Sequence, residues 1–286
     1  MTTIDAPLRE SLSHPVLDAD LPQLRPTVAE AVPGRARALL PVSAAVVGAG
    51  AALVAAPAAS TAMTAAVVGA GLLTAIAANW STCGMSVAGV VAAPKQPDRP
   101  GSSTPARRLA WHAFGSILTG APTGAILGAL GLLVGGVVGV GWALGIWAVA
   151  ALLYGLHELG ALRMPTPMRR RQLPRHLRRT MAPNRVSFLF GTMIGPGFVI
   201  FIRSSAYYLL VLGLVLAGDP VLGAVLFTVV SLGRCLPSLA AIVHTRAGGT
   251  MPGFLSAMCL VDRRVQAITG AGLVGLAAFA AAALAV

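Results

Sequence analysis

The sequence predicts an all-α, polytopic helical membrane protein with about seven transmembrane helices, and three observations carry that expectation. Of its 286 residues, 56% are apolar and only 10% are charged, the balance of a chain that folds in lipid. From Ala38 to Pro94 there is no Asp, Glu, Lys or Arg. A helix crosses the hydrocarbon with about 20 apolar residues, so this run alone holds two crossings. The net charge of +12 is gathered in short segments between apolar runs, where it reads as membrane topology and attraction to anionic headgroups rather than nucleic-acid recognition.

Residues 1–38 mix Arg9, Glu10, Asp18, Asp20, Arg25, Glu30, Arg35 and Arg37 with repeated prolines and read as a polar cytoplasmic tail. The apolar region of a signal peptide would begin much nearer Met1. A transmembrane domain over 39–286 follows, with crossings expected at about 39–59, 64–92, 109–133, 138–160, 187–216, 221–243 and 265–286. The basic connections hold Lys95, Arg99, Arg107 and Arg108, then the "MRRRQLPRHLRRTMAPNR" run, then Arg246, Arg263 and Arg264. A cytoplasmic amino terminus puts all of them inside and the carboxyl terminus in the periplasm, the pattern of a multi-pass protein of the cell inner membrane. The outer connections are then "APAAST", the pair Gly135 and Gly136, and "AGDP".

Two expected crossings are overlong. Segment 64–92 carries "STCGMS" from Ser81, and segment 187–216 carries "GTMIGP" from Gly191 together with Pro196 and Arg203. Both are expected to break or tilt, with freed backbone groups satisfied inside the protein. Each is followed by two further crossings, so the chain reads as two three-helix units plus an extra amino-terminal helix. An odd number of crossings inverts the second unit, and inverted repeats hold their working site where broken helices meet near the midplane.

Cysteine usage singles out few positions. Cys83 lies four residues after Asn79, on the same helical face, beside Thr82, Ser81 and Ser86. Polar groups at this depth face protein or water, and act either as interhelical glue or as a site. Cys235 follows Arg234 and precedes Pro237 by two residues; a neighbouring guanidinium and a helix-loosening proline suit a reactive thiol, although a small apolar residue in a packed core is the simpler reading. Cys259 reads as an incidental thiol near the cytoplasmic surface. Arg203 is expected at the end of a broken half-helix, and His157 and Glu158 at a membrane boundary. His112 and His244 lack a second ligand at metal-binding spacing. No Cys-x-x-Cys, His-Glu-x-x-His or phosphate-cradling loop is present, so neither metal nor cofactor is expected.

The ordered set "NWSTCG", a basic loop, "LLYGLHELGALRMPTPMRRR", "FLFGTMIGPGFVIFI" and "VSLGRCLPSLAAIV" resembles the transmembrane thiol–disulfide electron carriers of the CcdA and DsbD type. The resemblance runs from about Leu72 to the end. Within that superfamily the extra amino-terminal helix, the "STCGM" form and the length are most similar to the MauF family of methylamine utilisation proteins. It implies a role in producing mature methylamine dehydrogenase, a periplasmic enzyme whose small subunit is rich in disulfides. The implied route is electron transfer by thiol–disulfide exchange, or docking of a periplasmic thioredoxin-like or disulfide-isomerase-like protein.

The resemblance also implies one membrane cysteine per repeat, each next to proline. Cys83 fills the first place, flanked by Thr82 and Gly84 where the carriers usually have proline, and Met193 stands in the second. A thioether cannot exchange with a disulfide, which leaves Cys235 as the alternative thiol. A small-solute transporter, with Arg203 or Arg234 holding an anion in the repeat cavity, stays open as a second class of function.

Overall fold

In the computed structural model the described residues are 32, 34–80, 82–93, 103–135, 138–165, 180–197 and 204–286; the side chains of Thr82 and Cys83 lie outside them. Helices form all the regular structure among these residues: α1 Gly34–Ala55, α2 Ala59–Ile76, α3 Thr82–Val91, α4 Pro105–Gly135, α5 Val140–Glu158, α6 Pro183–Ile194, α7 Ser205–Ala217, α8 Pro220–Gly233, α9 Leu236–Arg246 and α10 Met251–Ala285. Among the described residues six stretches are long and apolar enough to cross a membrane, with α7 a shorter apolar helix. The outer face agrees with a lipid environment. On α1 alone Leu39, Val42, Val46, Val47, Leu53 and Val54 are exposed, a contiguous apolar surface that water would not tolerate.

The core forms where α2, α5, α7 and α8 meet. Met63, Val67, Trp147, Tyr207, Leu210, Leu214 and Phe227 are buried there, and the Trp147 indole N–H donates to the Leu209 carbonyl at 3.0 Å. Small residues let backbones approach elsewhere. A Cβ on Gly124 of α4 would strike the Gly223 carbonyl of α8, and one on Gly223 would strike that of Gly124, a close crossing of the kind membrane helices use in place of a hydrophobic driving force.

Contact directions reveal an internal relation. The pairs Gly124–Gly223 and Gly128–Asp219 run α4 antiparallel to α8; Gly213–Val67 and Gly71–Leu210 do the same for α7 and α2; Gly155–Gly270 and Gly145–Leu284 for α5 and α10. Conversely, α4 lies parallel to α6 and α2 parallel to α8. Each crossing of one three-crossing set thus packs antiparallel on its counterpart, as an inverted arrangement requires, and α1 stands outside, packed on α10.

Several helix limits differ from the sequence expectation, each for a local reason. Helix α1 runs Gly34–Ala55 instead of 39–59: Arg35 and Arg37 extend past the apolar zone within the helix, and Ala56, before Pro57, takes a positive φ of 39° that ends it. The expected 64–92 crossing is α2, a 3₁₀ turn over Ala78–Trp80, and α3. The expected 187–216 crossing is α6 and α7 with 198–203 outside the described residues. Crossings expected at 109–133 and 138–160 are α4 and α5 with shifted ends. The 221–243 crossing is interrupted at Arg234–Cys235, just before Pro237 at the start of α9.

The largest difference concerns 265–286. It is the second half of α10, a 35-residue helix on the order of 50 Å long at 1.5 Å per residue, well beyond a bilayer's hydrocarbon core. Asp262, Arg263 and Arg264, expected in a loop, are therefore helical. The Thr250 hydroxyl accepts from the Gly253 N–H at 3.2 Å and starts the helix early, and no breaker follows Gly253 until the apolar run begins.

Candidate functional site

Three helix interruptions meet in the interior, and their free backbone groups define the site. In the first, α2 ends at Ile76 and its last carbonyls need donors. The Asn79 amide supplies them, donating to Thr74 O at 3.1 Å and Ala75 O at 2.8 Å. Cys83 is the second residue of α3, which follows. Its neighbour Gly84 fits where a Cβ would meet both the Asn79 carbonyl and, at 3.0 Å, the Pro237 ring.

The second interruption follows α6. Gly197 turns with φ of 82°, a left-handed conformation that a side chain would strain. The Tyr207 ring lies against it, and the Tyr207 hydroxyl donates to the Pro196 carbonyl. The buried Arg234 guanidinium closes the end of α6, donating from Nη1 to Ile194 O and, at 3.0 Å, to Gly195 O. A cation against the carbonyl end of a helix also opposes the negative pole of its dipole. Beyond the gap, the first N–H of α7, on Ser205, donates to Glu158 Oε1 at 2.7 Å. Glu158 is buried; it is an interior cap for a half-helix, not the boundary residue its position in "GLHELG" suggested.

The third interruption belongs to Arg234 and Cys235 themselves. Gly233 packs on the Ala75 carbonyl, joining this turn to the first one, while Arg234 joins it to the second. Cys235 stands at the start of α9, partly buried, with Sγ 3.7 Å from the Ser231 carbonyl. The Ser231 hydroxyl donates to Ser116 O on α4 at 3.0 Å. Nearby on the α4–α6 contact, His112 is fully buried with its carbonyl against Gly191, and the hydroxyls of Ser116 and Ser187 are buried without partners among the described residues.

The residues singled out in the sequence thus divide. Asn79, Pro196, Arg234, Cys235 and Pro237 gather at the three interruptions. Thr82 and Cys83 belong to the same region by backbone, with side chains outside the described residues, as is Arg203 entirely. Met193 goes elsewhere, into an apolar cluster with Val87, Val91, Phe190 and Leu109. Cys259 Sγ lies 3.4 Å from Met85 Sδ on an exposed flank.

Sequence reasoning missed the roles of Glu158, Tyr207 and Ser231. Arg108 was counted as a loop cation, yet it is buried and donates to the Val90 and Ala93 carbonyls at the end of α3. The signal that could have flagged Arg108 and Glu158 is a charge next to an apolar run that faces a helix end in the fold. No group of three His, Cys, Asp or Glu side chains able to hold a metal occurs among the described residues.

Comparison with known proteins bears on about half to three quarters of the chain. It is 31% identical over 166 residues to methylamine utilization protein MauF of Paracoccus versutus, covering 56% of this chain and 58% of that protein. The MauF of Paracoccus denitrificans is 29% identical over 219 residues, 74% of this chain and 76% of that protein. That of Methylorubrum extorquens is 30% identical over 167 residues, 56% of each. The first of these matches thus spans little more than half of the relative's length. No family model and no solved structure matches the chain. The chain is thus similar to MauF proteins over part of its length, and its apolar helices make it a multi-pass, all-α membrane protein.

Proposed function

We propose that the chain supports methylamine utilisation from the inner membrane, with its amino terminus in the cytoplasm, and is needed for production of active periplasmic methylamine dehydrogenase. The observation that carries the proposal is its similarity to MauF of several organisms. The mechanism we favour is thiol–disulfide exchange, as in CcdA-type carriers, with a periplasmic thioredoxin-like or disulfide-isomerase-like protein. Gly84 beside Cys83 packs on Pro237, two residues after Cys235, so half-helices that begin at the two cysteines meet.

In the exchange the Cys83 thiolate attacks one sulfur of the partner's disulfide, a mixed disulfide forms, and the partner's other sulfur leaves as a thiolate. Attack by the Cys235 thiolate on the Cys83 sulfur then releases the partner as a dithiol and leaves a Cys83–Cys235 disulfide. Two electrons pass to the partner; the reverse sequence oxidises it. Transport of a small anion is less well supported, because the Arg234 guanidinium is committed to the carbonyls that end α6.

Cells lacking their own copy and carrying Cys83→Ser test the reading. The expected outcome is loss of dehydrogenase output by about tenfold or more, at unchanged membrane levels of the variant, and a wild-type Cys83–Cys235 bond or mixed disulfide on thiol trapping. Full output from both Cys83→Ser and Cys235→Ser would end the exchange mechanism and leave docking of the disulfide factor.

A further inference from the structure

The amino-terminal ends of α4 and α6 enclose a cavity that the redox reading does not use. Its volume is about 460 Å³, and its walls include Ser103, Arg107, Trp111, Asn184, Arg185 and Phe188. The two helices lie parallel here, so two positive dipole ends stand side by side, reinforced by two guanidinium groups. No carboxylate among the described residues pairs with Arg107 or Arg185. The cavity also holds unmet hydrogen-bonding capacity: the Ser103 hydroxyl, in a residue only 8% exposed, and Asn184 Oδ1 are buried without partners among the described residues. Leaving such groups unpaired is costly, and a polar ligand would meet them.

What lies beside the polar end identifies the ligand class. Trp111, Phe114 and Phe188 form an aromatic cluster with ring centroids 6.0 to 6.1 Å apart. From it Trp111, Phe114 and Leu118 continue along α4 as an exposed apolar stripe. A free inorganic anion would use the cations and ignore the stripe. A molecule with an anionic head and long apolar chains would use both, and Trp is the side chain that favours the headgroup level. We propose that this cavity is a specific site for an anionic phospholipid. The phosphate lies between Arg107 and Arg185 at the two helix ends, a headgroup hydroxyl meets Ser103 and Asn184, and the acyl chains run over Trp111, Phe114 and Leu118.

The test uses the purified full-length protein in detergent, titrated with phosphatidylglycerol, phosphatidylcholine or inorganic phosphate and read by native mass spectrometry. Phosphatidylglycerol is expected to be retained in preference to phosphatidylcholine, and the Arg107→Gln/Arg185→Gln variant to lose roughly thirtyfold in its affinity, at about 1 kcal/mol for each cation. Equal retention of both lipids, or an unchanged double variant, would overturn the proposal. Displacement of the lipid by inorganic phosphate at matching concentration would instead make this a free-anion site and overturn it too. A second measurement keeps the native charges: brominated-chain phosphatidylglycerol should quench the fluorescence of the wild-type protein and quench Trp111→Phe less. Equal quenching of the two counts against the site even where the double variant fails to fold.

Discussion

Two of the three broken crossings solve one problem by different means. Between α2 and α3 the exposed carbonyls are met locally, by Asn79 only four and five residues along the chain. Between α6 and α7 the free groups are met from far away: Arg234, thirty-nine and forty residues on, donates to the carbonyls, and Glu158, forty-seven residues back, accepts from the Ser205 N–H. A neutral amide suffices for the first because the chain itself turns back through a 3₁₀ turn. At the second, a cation closes the carbonyl end of α6 and an anion the N–H end of α7, each opposing the helix dipole there. The first break is therefore closed by a local motif, whereas the second is closed by side chains from two other helices, α5 and α8.

The largest effect is expected from Arg234→Met. It keeps the apolar stem but leaves the Ile194 and Gly195 carbonyls unmet, at a cost of about 3 kcal/mol. Unfolding of the detergent-solubilised protein should shift accordingly, and Arg234→Lys should recover only part, since an ammonium lacks the planar fork. A stability equal to wild type would remove the long-range half of the comparison. Glu158→Gln keeps an acceptor for the Ser205 N–H but loses the charge at the α7 dipole, and should cost about 1 kcal/mol in the same assay. The smallest loss, under about 1 kcal/mol, is expected for Asn79→Ala, because the freed carbonyls lie within reach of the following turn. An Asn79 effect larger than that of Glu158 would reverse the ranking. Because Gly233 of the Arg234 turn packs on Ala75, the Asn79→Ala/Arg234→Met pair should also be non-additive by about 0.5 kcal/mol or more.

Much of this architecture is legible in the chain. Apolar runs and basic connections announce a polytopic helical protein, and the excess length of 64–92 and 187–216 announces that both crossings are interrupted. Asn79 was legible as a candidate from its place one turn before Cys83, although its bonds to the Thr74 and Ala75 carbonyls were not. The break at Arg234–Cys235 was only hinted at by Pro237, since a proline near a helix start also suits an unbroken crossing. The helical setting of Asp262, Arg263 and Arg264 was hidden by their charge, which reads as loop in a hydropathy pattern.

What the sequence by itself determined is the class: helices, their approximate number, and the places where two of them must break, because lipid permits no unpaired backbone and local composition records that constraint. Tertiary structure alone decided who closes each break. Arg234, Glu158 and Arg108 look alike in sequence, as charges in or beside apolar runs. They differ only because helix packing brings each to a particular helix end, Arg108 and Arg234 within their own three-crossing sets and Glu158 across to the other. The same packing sends Met193 into an apolar cluster and sets the turn at Cys235 against the one that precedes Cys83. Which side chain meets which dipole end depends on the directions of helices far apart in the chain, and no local pattern encodes that.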